Sequence, residues 1–217
     1  MVAFDGPIVL PGFFAPATFA DLQEEILHMS ETERSYYPLH KKGGTIAYST
    51  IRRRAPRLAE FYHSREQRRA VSDLVGVPLE PTPLHDESSL SILVYERPGD
   101  HIGWHYDHNF YRGRHFTVLL VIVNRGYCAD GLSASRLLVK KRRAQIVLPA
   151  PPNTLVVFEG ARVLHKVTPI AEDERRVVLS MTYCTDPQNS RIQEIARRFK
   201  DTAFFGYRAL WRSGDQH

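Results

Sequence analysis

Apolar and polar positions divide the chain into a helical first part and a strand-rich second part. The short apolar run Ile8–Leu10 predicts a strand, and a first amphipathic helix is predicted after Thr18, with one apolar face formed by Phe19, Leu22 and Ile26. Gly43 and Gly44 predict a turn beside a short β-prone run. A second amphipathic helix is predicted over residues 57–76, where Gly76 ends it.

After Pro83 the pattern changes to short apolar segments that recur between turn residues. This spacing is typical of an all-β sandwich or barrel. We therefore expect a single domain, residues 1–217, with a helical N-terminal part over about 1–87, a β core over about 88–185 and a helical tail over about 188–217. The strand-like segments are LSILVYERPGD, HIGWHYDHN, HFTVLLVIVN, SRLLVKKRRAQIVLP (one or two strands), NTLVVFEG and ERRVVLSMTYCTD.

Composition limits the classes of function. A formal net charge of +5 attracts anions, but it is too small to indicate nucleic-acid binding. Cys128 and Cys184 lie far apart and form no metal-binding pair or disulfide framework. The N-terminus lacks the basic and apolar regions of a secretory signal, and no apolar run reaches about 18 residues. We expect a cytoplasmic protein with no membrane partner.

The segment GDHIGWHYDHNFYRGRH, residues 99–115, contains four histidines. His105 and Asp107 stand two positions apart, so on a strand their side chains point to the same face. His165, which follows a later strand after a short turn, is the clearest third ligand. Two histidines and one carboxylate form the facial triad that suits iron(II), and the lack of nearby thiolates argues against a structural zinc site.

Two arginines follow His165, at the head of the last strand. An arginine buried there is suited to a bidentate salt bridge with the distal carboxylate of a 2-oxo acid. Strand alternation places Arg176 on the more polar face with Ser180 and Thr182, whereas Arg175 shares the apolar face. Alternation therefore favours Arg176, and Arg175 stays the alternative.

With these motifs in order, the sequence resembles the iron(II)/2-oxoglutarate oxygenase superfamily, in particular its prolyl 4-hydroxylase-like branch. YERPGDHIGWHYD and LVVFEGARVLHKVTPIAEDERRVVLSMTY carry the resemblance, which covers about Leu90 to Tyr183. It implies a mainly β, double-stranded β-helix (jelly-roll) fold, onto which the N-terminal helices and a C-terminal helix pack. The implied cofactor and cosubstrates are iron(II), 2-oxoglutarate and dioxygen, with ascorbate as a candidate reductant.

The resemblance also assigns roles to residues of the implied site. Iron would be bound by His105, Asp107 and His165. The family spacing of ten residues after the histidine selects Arg175 for 2-oxoglutarate, against the preference from strand alternation. Tyr95 would face the same pocket, with a core tyrosine as the alternative. Just after the metal-binding strand, the candidates for substrate contact are His108, Asn109 and Tyr111.

The expected activity is hydroxylation of an aliphatic C–H bond. The favoured substrate is a free amino acid or similar small metabolite, because the C-terminal half resembles the free-amino-acid hydroxylase and halogenase group. The alternatives are a prolyl-type protein hydroxylase and a non-catalytic jelly-roll binding protein. Nucleic-acid repair is disfavoured because a second arginine six positions after the first is missing. Asp107 disfavours halogenation, because related halogenases have a small residue there. A homodimer is left open.

Overall fold

The computed structural model describes residues 6–29, 33–37, 41–83, 86–141 and 143–188. Four helices lie in these ranges: α1 Pro16–Leu27, α2 Tyr48–Arg54, α3 Pro56–His63 and α4 Arg65–Val75. The strands are β1 Ile8–Leu10, β2 Glu33–Tyr37, β3 Lys41–Ile46, β4 Glu80–Pro81, β5 Leu90–Tyr95, β6 His101–His105, β7 Arg112–Arg125, β8 Leu137–Lys141, β9 Ala144–Leu148, β10 Leu155–Phe158, β11 His165–Val167 and β12 Arg175–Asp186.

These strands form a single antiparallel sheet that curves into two facing halves. Its order is β1-β10-β7-β12-β5-β3-β6-β11-β8-β9, with β2 on β3 and β4 on β12. Side chains from β7 and β12 line the same cavity as side chains from β6, β8 and β11, so the two halves enclose one interior. This is the jelly-roll core that the sequence predicted.

The packing of β12 follows the predicted alternation. One face carries Val177, Leu179, Met181 and Tyr183, and it is buried against the helices that supply Ile51, Leu58, Tyr62 and Val71. The opposite face points into the barrel, where Val178 packs with Tyr95, Leu119 and Phe158. Two apolar clusters therefore share β12, one outside the barrel under the helices and one inside it.

The N-terminal part contributes strands as well as helices. Residues 41–46, predicted to hold a glycine turn, form β3, which pairs with β2 along one edge and with β5 and β6 in succession along the other. Glycine lowers strand propensity, so the local pattern favoured a turn. Backbone pairing along both edges of β3 outweighs that preference. Because β3 pairs with both β5 and β6, it also connects the two halves of the sheet.

The second predicted helix is divided into α3 and α4 at Ser64. That residue is extended (φ −61°, ψ 147°), and its hydroxyl accepts a hydrogen bond from the Gln67 amide at 3.1 Å, which caps α4. Gly76 ends α4 in the left-handed conformation (φ 71°), as predicted. The predicted C-terminal helix lies outside the described residues. No helix within the described ranges is long and apolar enough to cross a membrane.

Candidate metal centre and ligand pocket

The three candidate metal ligands meet where β6 and β11 pair. His165 stands directly opposite His105 in that pairing, and their ring centroids are 4.1 Å apart. Asp107 lies two residues beyond the end of β6, where its amide donates to the Gly160 carbonyl at 3.0 Å. One ligand atom from each residue falls within 4.8 Å of the others. The structure thus brings together the residues that the spacing predicted.

Both imidazoles are oriented for metal binding. The Nδ1 atom of His105 lies 2.8 Å from the Gly103 carbonyl, and the Nδ1 atom of His165 lies 2.9 Å from the Val163 carbonyl. A carbonyl only accepts, so each Nδ1 donates and each Nε2 keeps its lone pair. The Nε2 atom of His105 lies 3.5 Å from Asp107 Oδ1, and that of His165 lies 3.7 Å from it. These distances are long for hydrogen bonds and suit three ligand atoms placed around one metal ion. The donor set therefore fits iron(II).

Thr117 and Gly160 hold the carboxylate of Asp107 in place. The Thr117 hydroxyl donates to Asp107 Oδ2, which leaves Oδ1 directed at the histidines. A Cβ atom on Gly160 would collide with Asp107 Oδ2 and with the Thr117 hydroxyl, so only glycine leaves room for this contact. The sequence signal for Thr117 was weak: a single hydroxyl at the start of an apolar run.

The electrostatics of the three ligands are coupled. Burial alone would raise the pKa of Asp107, but the two histidines and the Thr117 hydroxyl lower it well below its usual range. Burial lowers the pKa of His165. For His105, burial is outweighed by Asp107, and the pKa is raised. Asp107 is therefore ionised at neutral pH and supplies the negative charge that a divalent cation requires.

The pocket next to these ligands has a mixed lining. Aliphatic side chains of Leu93, Ile102, Leu137 and Val167 contribute the apolar part. Besides the metal-ligand candidate Asp107, two charged residues line it, Lys41 and Asp86. Hydroxyls form most of the remaining polar lining: Thr45, Ser88, Ser91, Thr117, Ser180 and Thr182. A polar ligand with a short hydrocarbon chain matches this mixture.

The two candidate arginines lie on opposite sides of the sheet. Arg176 is 1% exposed, pairs across strands with Tyr95, and donates from Nη1 to the Ser135 carbonyl at 2.9 Å. Burial lowers its pKa, and Tyr95 partly offsets that effect. Arg175 is partly exposed, with its Nε 3.9 Å from Glu96. Arg176 therefore faces the interior, as alternation predicted, while its role toward 2-oxoglutarate stays a prediction.

Arg176 lies deeper than the pocket lining. Tyr95 lines the pocket and Arg176 does not. The Tyr95 hydroxyl and the Arg176 Nε are both buried without a hydrogen-bond partner among the described residues. Buried polar groups rarely stay unpaired, so these two are suited to a ligand oxygen at the inner end of the pocket.

The three predicted substrate contacts differ in position. His108 lines the pocket and stacks on Phe110, with the ring centroids 5.8 Å apart. Asn109 donates to the Gly113 carbonyl and accepts from the Tyr111 amide, so it shapes the turn. The Tyr111 hydroxyl donates to Asp86 Oδ2 at 2.6 Å and so positions a carboxylate that lines the pocket. Substrate contact by any of the three stays a prediction.

Lys41 is a charged pocket residue that the sequence analysis did not predict. It is 4% exposed, and its ammonium donates to the Thr45 hydroxyl at 2.9 Å. Burial lowers its pKa to about 8. Its sequence context, KKGG, is typical of an exposed turn, and only the pairing of β3 with both β5 and β6 brings Lys41 into the interior.

Known structures share this fold at low sequence identity. An oxidoreductase of the 2OG-Fe(II) oxygenase family from Burkholderia pseudomallei matches with a TM-score of 0.68 and 14% identity, over 86% of this chain and 88% of that one. A Pseudomonas putida prolyl-4-hydroxylase matches with a TM-score of 0.61 and 16% identity, over 82% and 91%. The α-ketoglutarate-dependent epimerase SnoN from nogalamycin biosynthesis matches with a TM-score of 0.65 and 15% identity, over 83% and 77%. The fold is that of the 2OG-Fe(II) oxygenases.

The sequence itself matches one family model, Halogenase D (HalD), over residues 5–124. This match spans more than half of the chain, so the protein belongs to the Halogenase D family. The matched region includes His105 and Asp107 but ends before His165. A comparison with curated proteins gives no significant match.

Replacing Thr117 by valine is expected to weaken metal binding. The change keeps the shape of the side chain but removes the hydrogen bond to Asp107, so affinity for Mn(II), used as an iron substitute, should fall roughly 10- to 100-fold in calorimetry. Thr154→Val is the matched control, since the buried Thr154 hydroxyl has no hydrogen-bond partner within the described part of the chain. Equal affinities for the two variants would show that Thr117 does not orient Asp107.

Lys41→Met is expected to stabilise the ligand-free protein at pH 7. Because the folded-state pKa of about 8 lies below the usual 10.5, the unfolded state binds more protons between these values, and wild-type stability rises with pH there. The variant should gain roughly 3 kcal/mol at pH 7, and the gain should disappear as the pH approaches 10.5. Urea unfolding at several pH values measures this. Lys42→Met, one position along on β3, is the control; a gain independent of pH would contradict the explanation.

Proposed function

We propose that this protein is an iron(II)- and 2-oxoglutarate-dependent dioxygenase that hydroxylates an aliphatic C–H bond of a free amino acid or a similar small metabolite. One observation carries the proposal. Two imidazole Nε2 atoms and one carboxylate oxygen converge beside a pocket, and unpaired polar atoms of Tyr95 and Arg176 are buried at its inner end. Family membership and the fold agree with it.

In this proposal His105, Asp107 and His165 hold the iron. Iron(II) with 2-oxoglutarate and dioxygen supplies the oxidising chemistry that converts a C–H bond into C–OH, with release of succinate and carbon dioxide. The protein's part is to orient the reactants. Nδ1 contacts to backbone carbonyls fix both imidazoles, and Thr117 fixes the carboxylate. Arg176 and Tyr95 bind the distal carboxylate of 2-oxoglutarate.

The complete ligand triad favours hydroxylation over halogenation. His105, Asp107 and His165 would each give the iron one ligand atom, and the positions left open would be needed by 2-oxoglutarate and dioxygen. A halide would need the position that Asp107 occupies. The carboxylate of Asp107 is fixed there by Thr117 and enclosed by Gly160. The family's name describes a halogenase, and this chain's donor set supports a hydroxylase within that family.

A small zwitterionic substrate suits the outer pocket. Asp86 is 2% exposed and lines the pocket, and its Oδ1 accepts from the amide and the hydroxyl of Ser88. A buried carboxylate with its orientation fixed in this way is suited to bind the ammonium group of an amino acid. His108 and Tyr106 lie at the exposed rim of the same pocket. These features favour an amino acid over a long peptide.

Succinate formation tests the proposal directly. Wild-type protein with iron(II), 2-oxoglutarate, ascorbate and a pool of free amino acids should release succinate and convert one amino acid to a product heavier by one oxygen atom, detected by mass spectrometry. A proline-containing peptide pool tests the protein-hydroxylase alternative. His165→Ala, which removes a metal ligand, should lower turnover by more than about a hundredfold. Absence of both turnover and metal binding in the wild type would favour the non-catalytic binding protein.

Arginine variants test the assignment of the cosubstrate site. Arg176→Ala should raise the dissociation constant of 2-oxoglutarate roughly 10- to 100-fold, because a charged hydrogen-bond partner is lost. Arg175→Ala is the matched control on the outer face and should change it less than about twofold, since exposed ion pairs contribute little. Calorimetry with the Mn(II)-loaded protein measures both constants. If Arg175→Ala raises the dissociation constant of 2-oxoglutarate more than Arg176→Ala does, the distal carboxylate is bound by Arg175 instead.

A further inference from the structure

We propose that Arg114 and Glu159 form a positioning pair that holds two of the three candidate metal ligands in place. Their ion pair joins the start of β7 to the turn over residues 159–163, which connects β10 to β11. The pair acts on the ligands through the backbone of that turn. The inference rests on the proposed function only in that it takes the candidate triad to bind a metal ion.

The 159–163 turn is in contact with Asp107 through Gly160. The Gly160 carbonyl accepts a hydrogen bond from the Asp107 amide at 3.0 Å. The backbone of Gly160 also lies against the Asp107 carboxylate, because a Cβ atom at this glycine would collide with Asp107 Oδ2. A displacement of the turn would therefore move both the backbone and the carboxylate of this metal ligand.

The same turn orients His165. The Glu159 carbonyl accepts from the Arg162 amide at 2.9 Å and from the Val163 amide at 3.0 Å, which closes the turn. The Val163 carbonyl then accepts from His165 Nδ1 at 2.9 Å and sets the direction of the imidazole. Two metal ligands from different strands therefore depend on the position of one short turn.

A backbone hydrogen bond and an ion pair hold this turn against β7. The Gly160 amide donates to the His115 carbonyl at 3.2 Å. Arg114 donates from Nε and Nη2 to Glu159 Oε2, at 3.3 and 3.0 Å. The Arg114 guanidinium also packs over the Phe116 ring, with Cζ 4.8 Å from the ring centroid. A planar guanidinium packed on an aromatic ring is suited to fix the direction of a carboxylate.

Burial makes the loss of this ion pair costly. Glu159 is 6% exposed, and 22% of the Arg114 side chain is exposed. Arg162 is also near Glu159, with its Nε 3.7 Å from Oε1, but 74% of the Arg162 side chain is exposed. Exposed ion pairs contribute little, whereas removing the partner of a buried charge leaves that charge uncompensated. The orientation of Glu159 therefore depends mainly on Arg114.

Metal affinity and a spectroscopic signature test this role. Arg114→Met removes the guanidinium at similar length, and the affinity for Mn(II) in calorimetry should fall roughly 10- to 100-fold, as for other residues that orient metal ligands. The visible absorption of the Co(II)-loaded protein should change as well, because it reports the arrangement of the ligand atoms. Arg114→Lys keeps the charge and should recover part of the Mn(II) affinity.

Two control variants separate positioning from a general loss of stability. Arg34→Met breaks the ion pair of Arg34 with Asp100, in which 22% of the arginine side chain is exposed and the aspartate is buried. This variant should lower the urea unfolding midpoint about as much as Arg114→Met but change Mn(II) affinity less than about twofold. Arg162→Met removes the exposed neighbour of Glu159 and should also change the affinity less than about twofold.

A double-variant cycle tests whether Arg114 acts through Glu159. Glu159→Gln alone should weaken Mn(II) binding at least about threefold, because a charge-assisted hydrogen bond becomes a neutral one. Combined with Arg114→Met, it should cost about as much affinity as the worse single variant, because the two residues act as one unit. Losses that multiply would overturn the pairing. So would an Arg114→Met variant with unchanged Mn(II) affinity and unchanged Co(II) absorption.

The inference and the proposed function can fail separately. If Arg114→Met weakens Mn(II) binding but the wild type releases no succinate from 2-oxoglutarate, the proposed function is refuted and the positioning role stands. If the wild type turns over and Arg114→Met binds Mn(II) as tightly as the wild type, the positioning role is refuted and the proposed function stands. Wild-type protein that binds no Mn(II) would overturn both.

Discussion

The pairing of β6 with β11 is the interaction on which the candidate site depends. β11 is only three residues long, yet it is paired with β6 on one side and β8 on the other. That double pairing places His165 opposite His105, although the two are far apart in sequence. The same region brings the Gly160 carbonyl to the Asp107 amide. Backbone hydrogen bonds thus set the spacing of the three ligand atoms, and side-chain contacts only orient them.

The interior of the barrel combines apolar packing with polar groups that cost stability. Val178, Phe158 and Leu119 form an ordinary core on one part of the inner surface. On another part, Tyr95 and Arg176 are buried, and the Tyr95 hydroxyl and the Arg176 Nε have no hydrogen-bond partner among the described residues. Burying such polar groups destabilises the folded protein unless a ligand supplies a hydrogen-bond partner. The outer cluster under the helices provides the apolar packing that offsets this cost. The division of β12 into two faces therefore separates stability from ligand binding.

Family membership shows which proteins this chain is related to, whereas the set of metal ligands bears on which reaction it favours. Membership in the Halogenase D family identifies the group of proteins to which the chain is related, and the matched region stops short of His165. The outcome of a reaction at such a centre depends on how many positions the protein itself occupies. Asp107, oriented by Thr117 and enclosed by Gly160, occupies one of them. For this reason the donor set carries more weight than the name when hydroxylation and halogenation are compared.

Local periodicity in the sequence was sufficient to predict which side chains share a strand face. The two-residue spacing of His105 and Asp107 predicted a shared face, and alternation along β12 predicted that Arg176 turns inward and Arg175 outward, as the structure has them. These results depend only on neighbours in the sequence. The role of β3 was missed because its glycines indicate a turn, and pairing with β5 and β6 reverses that preference. Lys41, Asp86 and Thr117 line one pocket only because strands distant in sequence are adjacent in the sheet. Alternation is a property of one strand, whereas a pocket is a property of several, so the tertiary structure alone decided its lining.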